Sequence, residues 1–245
     1  MDSKADWRHR EGADIYSRKL ILQRTPCRMI QVTLGADSAT KMFTIHEPLL
    51  TISSAYFKGA LQTTFKEGQD CQVHLCEEEP LVFGLLNEYL YRGDIKPSTE
   101  ALHFKSPLVC FGELWLLAHY LQMPKLVNYS MWRILLWMDE VPKAAPTSSA
   151  LTQPSSLDME DIYSLYDKAP MDSKLRKFLV NLLVWGGWNL KLGDEAPHLM
   201  IREMVDELRK RCDVAKTNSP LLDVRNYYVT EEELVPVEGK KVDEA

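Results

Sequence analysis

Residues of metal-binding type come close together at Cys71, His74 and Cys76. Thiolate and imidazole groups are the usual ligands of zinc, and a structural zinc site needs four ligands that converge on one point. The alternation of apolar and polar residues over 71–75 is typical of a β-strand, whose successive side chains point to opposite faces. Cys71 would then face away from His74 and Cys76, and no second pair has a suitable spacing. We therefore expect no metal site and no cofactor.

His46 is the first candidate for acid–base catalysis, because the pKa of histidine lies near neutrality. Its place between a strand pattern and Pro48 favours a structural role instead, capping the strand-to-helix corner. Glu77–Glu79 lie before Pro80, where a helix dipole stabilises negative charge, so we interpret them as capping residues. The motifs of serine nucleophiles, phosphate-binding loops, HExxH zinc sites and dinucleotide-binding turns do not occur. We predict no catalytic residue, and an enzyme whose site goes unrecognised is the remaining alternative.

Charge and composition narrow the classes of partner. The 245 residues carry a formal net charge of −6, which disfavours binding to the phosphates of nucleic acids. No apolar run is long enough to span a membrane, and residues 1–24 lack the apolar core of a secretory signal. The five scattered cysteines are typical of reduced thiols. We expect an intracellular protein, in the cytoplasm or the nucleus, that binds neither nucleic acid nor membrane.

The spacing of apolar residues along the chain predicts the strands and helices that position the candidate residues. Strands are indicated at Met29–Gly35, Met42–His46 and Cys71–Leu75, the first two joined as a hairpin. After Pro48, apolar residues at roughly helical spacing predict a helix; they are Leu49, Ile52, Tyr56, Phe57 and Leu61. Further helices are predicted from Pro80 to the stop at Gly93, over 107–122 and from Pro124.

The region beyond residue 140 differs in composition. Residues 140–157 are rich in Pro, Ser, Thr and Ala, which is typical of a linker. Helical stripes then resume, one over Leu175–Leu183 and one made of Ile201, Met204, Val205 and Leu208. We predict a flexible leader at 1–24, a domain at 25–139, the linker at 140–157, a helical region at 158–212 and a polar, partly acidic tail at 213–245.

Several short segments, in order, resemble the BTB/POZ domain family. Phe43–Leu50 is similar to its F-x-V-H-K-x-x-L signature, and Ser53–Leu61 to the S-x-x-F-x-x-x-L continuation. Later landmarks are matched at 65–67, 73–75, 79–83, 89–95 and 121–126. Together they cover residues 27–138 and resemble most the short BTB proteins of filamentous fungi. The resemblance implies an α+β fold: a small β-sheet with a cluster of α-helices, here followed by a smaller all-α C-terminal segment.

One departure from the family concerns charge. Many members carry an aspartate just before the first strand and a lysine or arginine after the histidine, and these charges often line a pocket at a dimer interface. This sequence has Pro26-Cys27-Arg28 before the strand, and Glu47 follows His46.

The functional expectation from the resemblance is protein binding rather than catalysis. We expect an interaction module that mediates self-association, as a homodimer, or docks other proteins. In family members that serve as substrate adaptors of cullin-type ubiquitin ligases, a hydrophobic-x-Glu triplet helps to engage the cullin. Phe65-Lys66-Glu67 resembles this triplet, so Phe65 and Glu67 are the candidate partner-binding residues and a cullin scaffold is a candidate partner. The alternative is an ordinary loop with Phe65 tucked inward.

Overall fold

The computed structural model describes residues 27–35, 40–96, 106–140, 158–185, 193, 195–213 and 224–234. The predicted leader at 1–24 lies outside the described residues, as do 141–157 of the predicted linker and 214–223 and 235–245 of the predicted tail. The chain divides into two compact units. The first comprises Met1–Thr99, Leu117–Leu126 and Val229–Ala245, and the second comprises Glu100–Leu116 and Val127–Tyr228.

A three-stranded sheet lies in the first unit. Its strands are β1 (Met29–Leu34), β2 (Lys41–His46) and β3 (Gln72–Leu75), in the order β2-β1-β3. β1 pairs antiparallel with β2, with Ile30 opposite Ile45, and parallel with β3, with Val32 opposite Val73. These four side chains are buried, because alternate residues of each strand face the core. The predicted strands and hairpin are confirmed.

The segment after β2 forms two helices where the spacing predicted one. They are α1 (Glu47–Ser53) and α2 (Ala55–Ala60), separated by Ser54 in an extended conformation (φ −134°, ψ 123°). The buried Ser54 hydroxyl accepts a hydrogen bond from the Phe57 amide, as an N-cap does, and donates to the Leu121 carbonyl. The break resets the helical phase, so Ile52 is 63% exposed although the expected stripe contained it.

Two further helices flank β3. α3 (Lys66–Asp70) is short, and α4 (Pro80–Arg92) ends at Gly93, whose φ of 70° is the left-handed conformation that glycine adopts without strain. The predicted stripe of α4 is confirmed, with Val82, Leu86 and Leu90 all buried. α1 packs against α4, which places the strand-to-helix corner next to the core helix.

The next two helices begin at prolines, as expected. They are α5 (Pro107–Tyr120) and α6 (Pro124–Glu140). The apolar positions predicted to face inward over 107–122 are buried; they are Leu108, Phe111, Leu114, Trp115 and Ala118 on α5 and Leu121 just after it. Val127, Met131 and Ile134 of α6 are buried as well.

The described residues from 158 onward are helical wherever they form an element. These elements are α7 (Met159–Lys168), α8 (Lys174–Trp185), α9 (His198–Asp213), a 3-10 turn (Val224–Tyr227) and α10 (Glu231–Leu234). The stripe predicted on α8 is buried. The helix indicated by the second stripe forms as α9, but Ile201, Val205 and Leu208 of that stripe are exposed. α9 packs on α8 with Met200 buried, and Glu207 accepts a hydrogen bond from the Trp185 indole. The predicted α+β architecture, a small sheet with many helices, is confirmed.

Candidate functional site

The turn between α2 and α3 presents the predicted partner-binding residues to solvent. Phe65 is the residue before α3 (φ −97°, ψ 156°), and its side chain is 53% exposed. Glu67 lies in the first turn of α3 and is also exposed. The alternative of an inward Phe65 is therefore wrong. An aromatic ring held half in water is a candidate anchor for a partner protein.

Gly68 fixes the shape of this turn. A Cβ built at Gly68 would lie 2.1 Å from the Gln62 carbonyl oxygen and 2.7 Å from that of Leu61. Only glycine allows the backbone of α3 to approach the preceding turn so closely. Two hydrogen bonds close the same turn, from the Phe65 amide to Gln62 O (3.0 Å) and from Gln69 Nε2 to Thr63 O (3.0 Å). Sequence reasoning missed Gly68, because no turn signature distinguishes it.

Arg28 ties the turn to the sheet and to α1. Its guanidinium donates two hydrogen bonds to the Glu47 carboxylate, at 2.7 and 2.8 Å, and a third to the Gly68 carbonyl at 3.0 Å. The guanidinium thereby holds the pKa of Glu47 below its ordinary value, and a fork-to-carboxylate pair of this kind fixes orientation. Arg28, just before β1, and Glu47, just after His46, are the two departures from the family pattern, and they pair with each other.

Two tyrosines extend the exposed surface. The rings of Tyr56 and Tyr120 lie 5.5 Å apart, and Tyr120 is 52% exposed. Burial raises the pKa of Tyr56 to about 12, with further contributions from Tyr120 and the negative charge of Glu67. The charge of Glu67 thus acts on Tyr56, one member of the tyrosine pair. We call Tyr56, Phe65, Glu67 and Tyr120 the docking patch.

His46 lies at the corner between β2 and α1, where it contacts Tyr91. It is the N-cap residue of α1, but its side chain makes no capping hydrogen bond, which corrects the predicted role in detail. Instead Nδ1 lies 2.8 Å from the Tyr91 hydroxyl, which also accepts a hydrogen bond from the His46 amide at 3.4 Å. This contact joins the β2–α1 corner to the end of α4.

The remaining sequence candidates do not assemble into a site. Within the described residues, no group of three or more His, Cys, Asp or Glu side chains could hold a metal ion. Cys71 ends α3 in the left-handed conformation (φ 56°) and lies 3.8 Å from the Arg28 guanidinium. Glu79 is the N-cap residue of α4 and forms no side-chain capping hydrogen bond; the predicted stabilisation of Glu77–Glu79 by the helix dipole stays a prediction.

A comparison with models of known protein families agrees with the observed fold. Residues 20–130 match the family model of the BTB/POZ domain. The chain carries a BTB/POZ domain. The BTB/POZ domain is a protein–protein interaction module, so the exposed docking patch belongs to a fold whose function is to bind other proteins. No curated protein matches the chain. Among the described residues, no helix is both long enough and apolar enough to cross a membrane.

Proposed function

We propose that this BTB/POZ domain docks a partner protein through the docking patch. The observation that carries the proposal is Phe65, an aromatic residue 53% exposed on a turn that two hydrogen bonds close. Burying such a ring in a partner pocket removes apolar surface from water. Because Gly68 and Arg28 already fix the turn, little conformational entropy remains to be lost on binding.

A cullin scaffold is the partner that the patch favours. The hydrophobic-x-Glu triplet at 65–67 has its hydrophobic member exposed and its carboxylate in solvent, as a docking role requires. In that role the chain would act as a substrate adaptor of a cullin-type ubiquitin ligase. An aromatic anchor beside a charged residue is a common hot-spot arrangement, and its loss costs about 2 kcal/mol or more of binding energy.

Self-association as a homodimer is the second proposed role. The sheet edge at β2 supports it, since β2 is an outer strand of the sheet that the described residues form, and its Met42 is 58% exposed. An exposed strand edge is a template for pairing with another chain. This surface is distinct from the docking patch, so one protein could use both.

Quantitative affinity purification of the intact chain tests the docking proposal. The test variant is Phe65→Ala with Glu67→Ala, and the control is Met42→Ala with Glu77→Ala, which removes an exposed apolar side chain and an exposed carboxylate outside the docking patch in the same unit. We expect a cullin to be recovered with the unmodified chain and the control, and its yield to fall more than tenfold with the test variant.

The other results of that purification also decide between roles. Recovery of the chain alone, with a dimeric mass in light scattering that the control lowers, would replace the cullin proposal by self-association. Equal recovery of a partner by the test variant and the control would remove the docking patch from the interface. Unchanged far-UV circular dichroism of both variants establishes that the fold survives.

A further inference from the structure

A cleft in the first unit is lined by residues other than those of the docking patch. It has a volume of about 550 Å³ and lies between the end of α1, the start of α2 and the start of α6. Its lining is mostly apolar or neutral, with Ile52, Tyr89, Met123 and Leu126 among the residues that form it. None of the four docking-patch residues lines it.

The charged side chains among the described residues that line the cleft are those of Lys58 and Lys125, both positive. The surroundings therefore favour a ligand that combines an apolar group with negative charge.

The walls of the cleft are held in place by Ser54. Its hydroxyl donates to the Leu121 carbonyl at 2.6 Å, and the neighbouring amide of Ala55 donates to the Gln122 carbonyl at 3.3 Å. Gln122 itself has a φ of 53°, a turn conformation fixed by these contacts. The α1–α2 break that the sequence did not predict thus builds one wall of the cleft.

A leucine close to the C-terminal end of the described residues forms part of the cleft wall. Leu234, the last residue of α10, lines it and is buried, as is Val229 just before α10. Glu233 accepts a hydrogen bond from the Thr230 amide at 2.8 Å, which is the acidic half of a capping box and stabilises this single helical turn. The segment reads Thr230-Glu231-Glu232-Glu233-Leu234, a leucine preceded by three carboxylates. Its chemistry complements the apolar, lysine-bearing cleft.

We infer that this cleft is a docking groove for a short helical turn with a leucine anchor preceded by acidic residues. The segment Val229–Leu234 occupies the groove in cis and serves as a built-in competitor. The ligand in trans is a partner protein that presents the same acidic-leucine turn, and it binds when the cis segment leaves. The inference does not depend on the docking patch, because it concerns different residues.

Competition in cis sets the size of the expected effect. A tethered segment has an effective concentration of about 1 mM. For a peptide that binds the open groove with a Kd of about 10 μM, occupation in cis would weaken apparent binding about 100-fold. Releasing the segment should therefore strengthen binding of an added peptide by at least about tenfold.

Fluorescence anisotropy on the full chain tests the inference. The probe is a labelled synthetic peptide with the sequence of residues 228–238, and the full chain is compared with its Leu234→Asp variant, which expels the anchor. We expect the variant to bind the probe at least about tenfold more tightly than the unmodified chain. Equal affinity for both proteins, or no binding to the variant, would overturn the inference.

Charge controls test how the groove recognises the peptide. In the Leu234→Asp background, Lys58→Glu should weaken probe binding, whereas Lys66→Glu, an exposed lysine outside the cleft, should not. A probe whose leucine is replaced by aspartate should not bind. Equal effects of the two lysine changes would refute recognition by this cleft. If circular dichroism shows that Leu234→Asp is unfolded, the same titration is made with the milder Leu234→Ala variant, and its affinity for the probe decides the test.

A second copy of the chain is the other occupant that the experiment detects. If α10 segments were exchanged between two copies, light scattering would give a dimeric mass for the unmodified chain and a monomeric mass for Leu234→Asp. That result would overturn occupation in cis. A mass independent of residue 234 supports it.

Discussion

Replacing Gly68 by alanine should destabilise the domain and loosen its candidate binding surface. The added methyl carbon would lie 2.1 Å from the Gln62 carbonyl oxygen, 2.6 Å from its carbon and 2.7 Å from the Leu61 oxygen. All three atoms are backbone, so no side-chain rotation can relieve the overlap and the turn itself must shift by roughly 1 Å. Overpacking of this kind costs about 1–3 kcal/mol. At about 2–4 °C per kcal/mol for a chain of this size, the melting temperature should fall by about 5 °C.

Gly59→Ala is the matched control for this prediction. Gly59 lies in α2, and a Cβ built there meets no atom within 4 Å. Because alanine favours a helix more than glycine does, this variant should be neutral or more stable by up to about 1 kcal/mol. Thermal unfolding followed by circular dichroism measures both. If the two variants melt at the same temperature, Gly68 does not fix the turn that carries Phe65 and Glu67.

Three further predictions concern the core, the ion pair and the domain boundaries. Leu86→Ala should lower the free energy of unfolding, measured with denaturant, by about 2–5 kcal/mol, because the Leu86 side chain is fully buried. Ile52→Ala, at an exposed site, should change it little. Similar losses for the two variants would contradict the packing of α4. The pKa of Glu47 is lowered from its ordinary value of 4.5 in the folded chain, so the Arg28–Glu47 pair stabilises the fold above pH 4.5 and this stabilisation is lost as the pH falls. Glu47→Gln should therefore make the free energy of unfolding depend less on pH in that range. An unchanged dependence would refute the pair. Limited proteolysis should cut first within 140–157 and leave 25–139 intact; a first cut inside the domain would refute those boundaries.

The sequence predicted the elements whose periodicity is local. Alternation at Ile30, Val32 and Leu34 indicated β1, and the stripe ending at Gly93 indicated α4, because both patterns follow from which side of one element faces the core. Ordered short motifs then indicated the family and the position of Phe65 and Glu67. The local exposure of Phe65 agrees with that prediction, while its role in binding stays a proposal.

The features that sequence reasoning missed depend on distant contacts. The break at Ser54 requires the carbonyl of Leu121, which lies 67 positions away. The role of Gly68 depends on the preceding turn, and the Arg28–Glu47 pair depends on the β1–β2 register that places the end of β2 beside the start of β1. None of these contacts has a periodic signal.

Contacts with a neighbouring helix also explain why the apolar stripe of α9 is exposed. Its apolar residues have helical spacing, which predicts burial, but the helix turns Met200 and the Glu207 carboxylate toward α8 instead. Pattern alone identified the helix and not the face that packs, because contacts with α8, which include the Trp185–Glu207 hydrogen bond, are not encoded in the spacing of its apolar residues.

Site-specific photo-crosslinking in cells tests the proposed docking patch most directly. A photoreactive phenylalanine analogue replaces Phe65 in the full chain, and the control carries it at Met42, an equally exposed site in the same unit. We expect light to join the chain covalently to a cullin from position 65. Position 42 lies on the edge proposed for self-association, so it should give no cullin adduct and at most a link to a second copy of the chain. The same adducts from both positions, or no adduct from position 65, would contradict docking through Phe65.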